Sequence, residues 1–330
     1  MLKLLLISLL SFSTIIQAAI TIEDSRGPQS FKATPQRIAS LNWTLSEQLL
    51  ELDITPLAMT DQAGYEVWVR QPALPAEIEE LGSRSEPNLE KLARLKPDLI
   101  LINEVHNSIL PRLEKIAPVL FFKTFSAEHS NPQAAIKVYR QLAQLFGRQQ
   151  LAETRLKAMQ EEFRTLRQQL SEAYSGQLPK VTTVRFANPS SVYIYGNNSM
   201  SQYALEQLGI SPALPQPNSQ WGLVQKRVLE LSKIQQGTVL YFEPFAQWPK
   251  LAASRLWQAM PFVRKGHIQA VPATWTYGGA MSLKYLAQTL TDSLLKIAPI
   301  ELSEKKTSGN KKSGNKTSGN KLSDNKRRVS

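Results

Sequence analysis

The spacing of apolar residues identifies one long helix near the middle of the chain. Residues 149 to 176 read QQLAETRLKAMQEEFRTLRQQLSEAYSG, with no Pro or Gly before Gly176. The apolar positions follow a three-then-four spacing: Leu156, Met159, Phe163, Leu166 and Leu170. This spacing places one apolar stripe along an α-helix of about seven turns. It is longer than the average helix of about 11–12 residues, so we expect it to connect two lobes rather than cover one domain.

Short apolar runs alternate with helical segments on both sides of this helix. Before it the runs are RIASLNW (37–43), DLILIN (98–103) and VLFF (119–122), with helical stretches such as SEQLLELD and NLEKLARLK. After it they are KVTTVRFA (180–187), SVYIYG (191–196), TVLYFEP (238–244) and IQAVP (268–272), with helices near 199–208, 226–235 and 281–297. This alternation is typical of parallel sheets covered by helices.

We therefore predict an α/β protein of two lobes with central, parallel-rich sheets joined by one long rigid helix. A ligand cleft is expected between the lobes, at the carboxyl ends of the strands. The predicted boundaries are a signal peptide at 1–19, an N-terminal α/β lobe at 20–147, the interlobe helix at 148–175, a C-terminal α/β lobe at 176–300 and a tail at 301–330.

The first nineteen residues, MLKLLLISLLSFSTIIQAA, have the pattern of a secretory signal peptide. An early cation, an apolar core and small final residues predict cleavage near Ala18 or Ala19. A membrane anchor is the alternative, but hydroxyl side chains interrupt the apolar run, which falls short of the ~20 residues that span a bilayer. The chain has no cysteine, which excludes disulfides and lipid attachment through a cysteine after the signal. We expect a free periplasmic protein.

The net charge of +12 is concentrated at the C-terminus. Residues 305–330 contain nine Lys or Arg and one acid, Asp324, in repeats of SGNK with two aliphatic residues, Leu322 and Val329. Such a segment cannot bury enough apolar surface to fold, so we predict a disordered basic tail. This tail could be a solvated appendage without a specific function, or it could bind polyanions or acidic lipid headgroups. The nearly neutral remainder gives no indication of a nucleic-acid partner.

Sequence motifs of enzymes are absent from the chain. It contains no G-x-S-x-G, G-x-x-x-x-G-K, G-x-G-x-x-G or H-E-x-x-H pattern. Its three histidines, His106, His129 and His267, are too scattered to predict a metal site. We expect neither an enzyme nor a cofactor.

Four stretches combine turn-forming residues with side chains suited to a ligand. They are GYEVWVRQP (64–72) with Tyr65 and Trp68, LGSRSEPNLEKL (81–92) with Arg84, NSQWGLV (218–224) with Trp221, and PATWTYGGAMS (272–282) with Trp275 and Tyr277. Any one of these rings could belong to the core instead. Together they suit a bulky, partly apolar ligand that carries carbonyl or oxyanion oxygens.

Much of the chain resembles the periplasmic ferric-hydroxamate siderophore-binding proteins of ABC importers. The resemblance runs from about residue 35 to about residue 297 and is carried by RIASLNWTLSEQLLELDITPLAMTD, VWVRQPALP, LGSRSEPNLEKLARLKPD and LWQAMPFVRKGHIQAVPATWTYGG. It implies that Arg84 donates hydrogen bonds to hydroxamate oxygens and that Trp68, Trp221, Trp275 and Tyr277 line the cleft. It also implies modest closure on binding and iron that arrives already wrapped by the siderophore.

The resemblance has one departure and one further implication. His106, in LINEVHNS, stands where the family has a tyrosine that contacts the hydroxamates; we expect the imidazole to replace it, with a solvent-exposed loop histidine as the alternative. Relatives also carry acids that dock to an inner-membrane permease. Glu90 matches the first of these acids, and Glu230 is the nearest candidate for the second; an ordinary solvated glutamate is the alternative for both, and for Glu230 it is the favoured one. The protein is expected to act as a monomer.

Other functions are still open from the sequence. A related carrier could bind haem, cobalamin or a ferric catecholate, although a strongly anionic catecholate complex calls for several cations and only Arg84 was identified. An exported α/β enzyme that uses a carboxylate in the cleft is a remote alternative. A third is adhesion through the basic tail, which deletion of residues 305–330 would abolish.

Overall fold

The computed structural model describes residues 19–299. The predicted signal peptide up to residue 18 and the basic tail from residue 300 lie outside the described residues. Residues from 19 to Ala298 belong to one compact unit. Within this part of the chain, no helix has both the length and the apolar character needed to cross a membrane.

The first described element is an antiparallel hairpin that the sequence pattern did not predict. It pairs β1 (Ile20–Asp24) with β2 (Gly27–Phe31). The buried Asp24 carboxylate accepts hydrogen bonds from the Arg26 backbone nitrogen at 2.7 Å and the Phe121 backbone nitrogen at 3.0 Å. The Ser25 backbone nitrogen also donates to the Phe121 carbonyl oxygen at 2.8 Å, so the hairpin is attached to β7 through several hydrogen bonds.

The N-terminal sheet has five strands, all parallel, in the order β5-β4-β3-β6-β7. They are β3 (Ile38–Ser40), β4 (Ala58–Met59), β5 (Glu79–Glu80), β6 (Leu99–Asn103) and β7 (Val119–Phe122). The helices of this region are α1 (Trp43–Leu50), α2 (Gln62–Trp68), α3 (Leu89–Leu95), α4 (Leu110–Leu113) and α5 (Asn131–Leu145), with a 3-10 turn at Glu104–Ile109. Every residue of β6 is buried, as a strand covered by helices on both faces requires.

The C-terminal sheet also has five strands, in the order β10-β9-β8-β11-β12, but it is mixed. They are β8 (Val181–Asn188), β9 (Ser191–Tyr195), β10 (Leu223–Arg227), β11 (Thr238–Phe242) and β12 (Ile268–Val271). The helices are α7 (Met200–Gln207), α8 (Trp248–Ala252), α9 (Arg255–Gln258), α10 (Pro261–Arg264) and α11 (Ser282–Leu295). β9 runs antiparallel to both β8 and β10. The predicted helix at 226–235 is wrong: the end of β10 and a 3-10 turn (Val228–Lys233) occupy it.

The predicted central helix is present as α6 (Gln149–Ala173). All five predicted apolar positions, from Leu156 to Leu170, are buried. The helix packs against α5, which follows the N-terminal sheet, and against α7 and α11, which belong with the C-terminal sheet. The predicted fold class, two α/β lobes joined by one long helix, is confirmed.

Candidate ligand-binding site

A cavity of about 250 Å³ lies between the two sheets. We call it the interlobe cavity. It is lined by Asn42, Thr44, Arg84, Asn103, Val105 and Phe125 from the N-terminal lobe and by Trp221, Trp275 and Tyr277 from the C-terminal lobe. Four of the predicted site residues therefore come together in one place: Arg84, Trp221, Trp275 and Tyr277.

The N-terminal wall is built where parallel strands end. Asn42 follows β3, Asn103 is the last residue of β6, and Phe125 follows β7. Parallel strands present their carboxyl ends at one edge of a sheet, where ligands bind in open α/β folds. The sequence analysis predicted the cleft at this edge but did not name these three residues.

Arg84 is presented by a tight loop between β5 and α3. Gly82 has a φ of +82° and forms an isolated antiparallel bridge with Pro87. A left-handed φ of this kind favours glycine. Inside the loop the hydroxyls of Ser83 and Ser85 lie 2.9 Å apart. The loop therefore holds Arg84 at its tip, as the flanking Gly and Pro predicted.

The guanidinium of Arg84 is oriented by a carboxylate and a ring. Its Nε donates to the Asp61 carboxylate at 3.2 Å, and its Cζ lies 3.5 Å from the centroid of the Trp43 ring. Trp43 is buried and donates from Nε1 to the carbonyl oxygens of Thr60 and Asp61. The Arg84 side chain remains 41% exposed, so donors of its planar fork remain available toward the cavity.

His106 lies beneath this loop and not on the cavity surface. The residue is 1% exposed, its Nε2 donates to the Arg84 carbonyl oxygen at 2.9 Å, and its Nδ1 lies 3.1 Å from the side-chain amide of Asn103. Burial lowers the pKa of this imidazole below its ordinary value. Both alternatives from the sequence, a ring in contact with the ligand and a solvent-exposed ring, are corrected: His106 supports two residues that line the cavity.

The C-terminal wall is a connected set of rings. Tyr277 lies 5.5 Å from Trp275, 6.3 Å from Trp221 and 5.6 Å from Phe125, measured between ring centroids. Trp275 lies 5.2 Å from Trp43 of the opposite lobe. These distances and the tilted or edge-on ring planes are those of favourable aromatic pairs. Rings of both lobes thus form one apolar surface beside Arg84.

Gly278 and Gly279 allow the chain after Tyr277 to approach α1 closely. A Cβ at Gly279 would overlap the side chain of Gln48, and one at Gly278 would overlap Ser282. Thr44 donates from its hydroxyl to the Tyr277 carbonyl oxygen at 2.6 Å. The two glycines of PATWTYGGAMS therefore fix the Trp275 and Tyr277 rings against the other lobe.

Trp221 is held by its own glycine. Gly222 has a φ of +70°, and a Cβ there would lie 2.8 Å from the Ser199 Cα. The Gly222 carbonyl oxygen accepts from the Gly196 backbone nitrogen at 2.9 Å. The adjacent Trp221 ring is 38% exposed at the mouth of the cavity.

Tyr65 and Trp68 lie in α2 and not in the loop that the sequence suggested. Tyr65 is fully buried and donates from its hydroxyl to the Pro72 carbonyl oxygen at 3.1 Å, so its assignment to the cleft surface is corrected. Trp68 is partly buried and packs, together with Trp275, against the cluster that contains Trp43. It lies behind the aromatic wall and outside the residues that line the cavity.

The two candidate docking acids differ in their surroundings. Glu90 lies in the first turn of α3 and is exposed. Among residues 19–299 it has no ion-pair partner. Glu230 accepts from Lys233 at 2.6 Å, and this contact lowers the pKa of the Glu230 carboxyl. The charge of Glu230 is therefore already neutralised by Lys233 of the same 3-10 turn.

The part of the chain that the structure describes contains no group of three or more His, Cys, Asp or Glu placed to hold a metal ion. His129 is partly buried and His267 is exposed, and neither lines the interlobe cavity.

The chain belongs to the periplasmic binding protein family, whose model matches residues 38–274. The iron(3+)-hydroxamate-binding protein FhuD of Escherichia coli K12 is 32% identical over 262 residues, which cover 79% of this chain and 87% of that protein. The solved structure of FhuD from Vibrio cholerae with bound Fe3+–Desferal is 48% identical, with a TM-score of 0.78, covering 80% of this chain and 99% of that one. The catecholate-siderophore-binding protein VctP from Vibrio cholerae shares the fold alone, at 19% identity and a TM-score of 0.62, covering 85% of this chain and 100% of that one.

Proposed function

We propose that this protein captures an iron(III)–hydroxamate siderophore in the interlobe cavity and delivers it to an ABC permease of the inner membrane. The observation that carries the proposal is the meeting of Arg84 with rings of both lobes in one cavity. FhuD of Escherichia coli is named for binding iron(3+)–hydroxamate, and the structure of FhuD from Vibrio cholerae was solved with bound Fe3+–Desferal.

The chemistry of the cavity fits such a ligand. A ferric hydroxamate presents negative oxygens around the metal and an organic backbone outside them. The Arg84 guanidinium offers hydrogen bonds to the oxygens, while Trp221, Trp275 and Tyr277 cover the backbone. The siderophore satisfies the coordination of iron, so no side chain of the protein needs to bind the metal.

The same proposal covers location and delivery. Similar proteins are named as periplasmic proteins or lipoproteins, which supports an extracytoplasmic place for this chain. We propose that the segment 1–19 is removed near Ala18 or Ala19 and that the protein is a periplasmic monomer without catalytic activity. Exposed Glu90 suits docking to a cationic permease surface, whereas the pairing of Glu230 with Lys233 makes that acid the weaker candidate.

The test is calorimetric binding of Fe(III)–desferal, a ferric catecholate, haem and cobalamin to the purified protein. We expect one-to-one binding of the hydroxamate complex and no comparable affinity for the others. Arg84→Ala should weaken binding by about 2 kcal/mol, the contribution of a hydrogen bond to a charged group. Arg94→Ala, on the exposed face of α3, is the matched control and should bind normally. Preference for another of these ligands would overturn the proposed ligand class.

A further inference from the structure

Arg185 is a second cation close to the interlobe cavity. It lies on β8 opposite Tyr193 of β9, and its guanidinium carbon is 5.6 Å from the centroid of the Tyr193 ring. The side chain is partly buried. A lone Arg in KVTTVRFA belongs to no motif, so nothing in the sequence marks Arg185 as a ligand-binding residue.

The surroundings of Arg185 differ from those of the other partly buried arginines. Among residues 19–299, Arg84, Arg155 and Arg185 are partly buried, and Arg26, with a side chain 28% exposed, pairs with Asp24 at 2.9 Å. Arg84 pairs with Asp61 at 3.2 Å, and Arg155 pairs with Asp53 at 2.8 Å. Within the same residues the side chain of Arg185 forms neither an ion pair nor a hydrogen bond, and its contact is the uncharged ring of Tyr193. Removing a charge from water without a partner is costly, so the lack of a balancing acid points to an anion from outside the chain.

Arg185 is connected to the cavity through tyrosine side chains. In the register of β8 and β9, Arg185 lies opposite Tyr193, and Tyr195 follows two residues later on the same face of β9. The Tyr195 hydroxyl lies 2.9 Å from the hydroxyl of Thr276, which directly precedes Tyr277 of the cavity wall. Burial raises the pKa of the Tyr277 hydroxyl, and the Arg185 charge opposes that shift, in agreement with this placement. Arg185 therefore lies close to the C-terminal wall.

The two cations lie at opposite ends of one row of rings. Arg84 lies on Trp43, and Trp43, Trp275 and Tyr277 follow one another at 5.2 and 5.5 Å between centroids. Arg185 lies beyond the other end of the row, where Tyr193 and Tyr195 of β9 lead to Thr276, the neighbour of Tyr277. The Asp61 carboxylate neutralises the charge of Arg84. The positive charge of Arg185 has no such acid beside it.

We propose that Arg185 forms an anion subsite that binds a carboxylate on the organic backbone of the ligand, while Arg84 binds the oxygens around the iron. The inference rests on the proposed function and narrows it to ferric hydroxamates that carry a pendent acid. A bidentate pairing with the planar guanidinium would give the carboxylate a fixed position beside Tyr277.

The experiment compares three complexes that share one iron centre. Fe(III)–desferal carries a pendent ammonium, its N-acetyl derivative is neutral there, and its N-succinyl derivative ends in a carboxylate. We expect the wild-type protein to bind the succinyl complex about tenfold more tightly than the acetyl complex, the change given by one charge-assisted hydrogen bond. The ammonium complex should bind more weakly still.

Two variants and one control assign the preference to Arg185. Arg185→Gln removes the charge, so all three affinities should become equal within about threefold, near that of the acetyl complex. Arg185→Lys keeps the charge and should retain part of the preference. Arg264→Gln, an exposed arginine of the same lobe, should behave as wild type.

The outcomes separate the two proposals. If the wild-type protein binds all three complexes equally, the subsite is overturned and the proposed function stands. If the preference survives in Arg185→Gln, another group produces it and the subsite is likewise overturned. If none of the complexes binds to the wild-type protein, the proposed function fails, and the subsite fails with it.

Discussion

The Glu47 carboxylate of α1 accepts a hydrogen bond at 2.9 Å from the backbone nitrogen of Gly279, on the other lobe. It also accepts from the Ser282 hydroxyl at 2.7 Å, and all these groups are buried. Gly279 follows Trp275 and Tyr277 closely in the sequence, so this contact is made just after the two rings of the cavity wall. This buried carboxyl group therefore helps to fix the aromatic wall against the N-terminal lobe, together with the hydrogen bond from Thr44 to the Tyr277 carbonyl oxygen.

The first prediction concerns the pH dependence of stability. Burial raises the pKa of Glu47 from its ordinary value of 4.5 to about 8. The folded state therefore holds a proton that the unfolded state releases, so stability from this group is present below pH 4.5 and is lost as pH rises toward about 8. Urea unfolding of wild type and Glu47→Gln across this range should show a difference that changes by at most about 1.4 kcal/mol per pH unit. An identical pH dependence in both proteins would contradict this account.

The second prediction concerns Gly279. Its replacement by Ala places a methyl group against the Gln48 side chain of α1. We expect a loss of about 1–3 kcal/mol in the free energy of unfolding from overpacking, together with weaker ligand binding because the Tyr277 ring is displaced. Gly147→Ala, where a Cβ meets nothing within 4 Å but φ is +64°, is the control for binding. It should leave ligand affinity unchanged, and normal binding by Gly279→Ala would refute the prediction.

The third prediction concerns His106. Burial holds its pKa below the ordinary 6.5, so on acidification the unfolded chain takes up a proton before the folded one does. The free energy of unfolding of the wild type, measured relative to His106→Gln, should therefore fall as pH drops below about 6.5. Near neutral pH, His106→Phe should cost about 1–3 kcal/mol, because the Arg84 carbonyl loses its buried donor. A His106→Phe variant as stable as wild type would show that the ring does not support the Arg84 loop.

The fourth prediction uses tryptophan fluorescence. The six tryptophans form two groups. Trp221 and Trp275 line the interlobe cavity, and Trp43 and Trp68 belong to the apolar cluster on which Trp275 packs. Trp248 and Trp257 lie in a separate apolar cluster of the C-terminal lobe. Fe(III)–desferal should quench emission saturably. Trp221→Phe should reduce the amplitude of quenching, whereas Trp248→Phe, which alters a ring stacked 4.4 Å from Tyr241, should leave it intact. Equal effects of the two replacements would argue against binding at Trp221.

Much of the fold was predictable because apolar periodicity depends on local burial. The stripe of α6 and the runs that form β6 and β8 correspond to their observed elements. The antiparallel direction of β9 was not predicted, although only Pro189 and Ser190 separate it from β8 and a parallel crossover needs a dozen or more residues. Asn188 closes this turn by accepting from the Ser190 backbone nitrogen at 2.9 Å.

The site was only partly predictable for a different reason. Arg84 and Trp221 carry local signals, since glycine and proline beside them indicate exposed loops. Burial of Tyr65 and His106 depends on residues more than twenty positions away, Trp43 and Arg84, so from the sequence both rings appeared suited to a ligand. Phe125 had an available signal, its place just after the parallel strand β7, that was not used.

The central claim is that the interlobe cavity holds an iron complex beside Arg84. The most direct test is a crystal structure of the protein with Fe(III)–desferal, in which anomalous scattering locates the iron. The account predicts one iron site between Arg84 and Tyr277, with the guanidinium donating to hydroxamate oxygens and no side chain of the protein ligating the metal. Iron bound elsewhere, or coordinated directly by the protein, would contradict it.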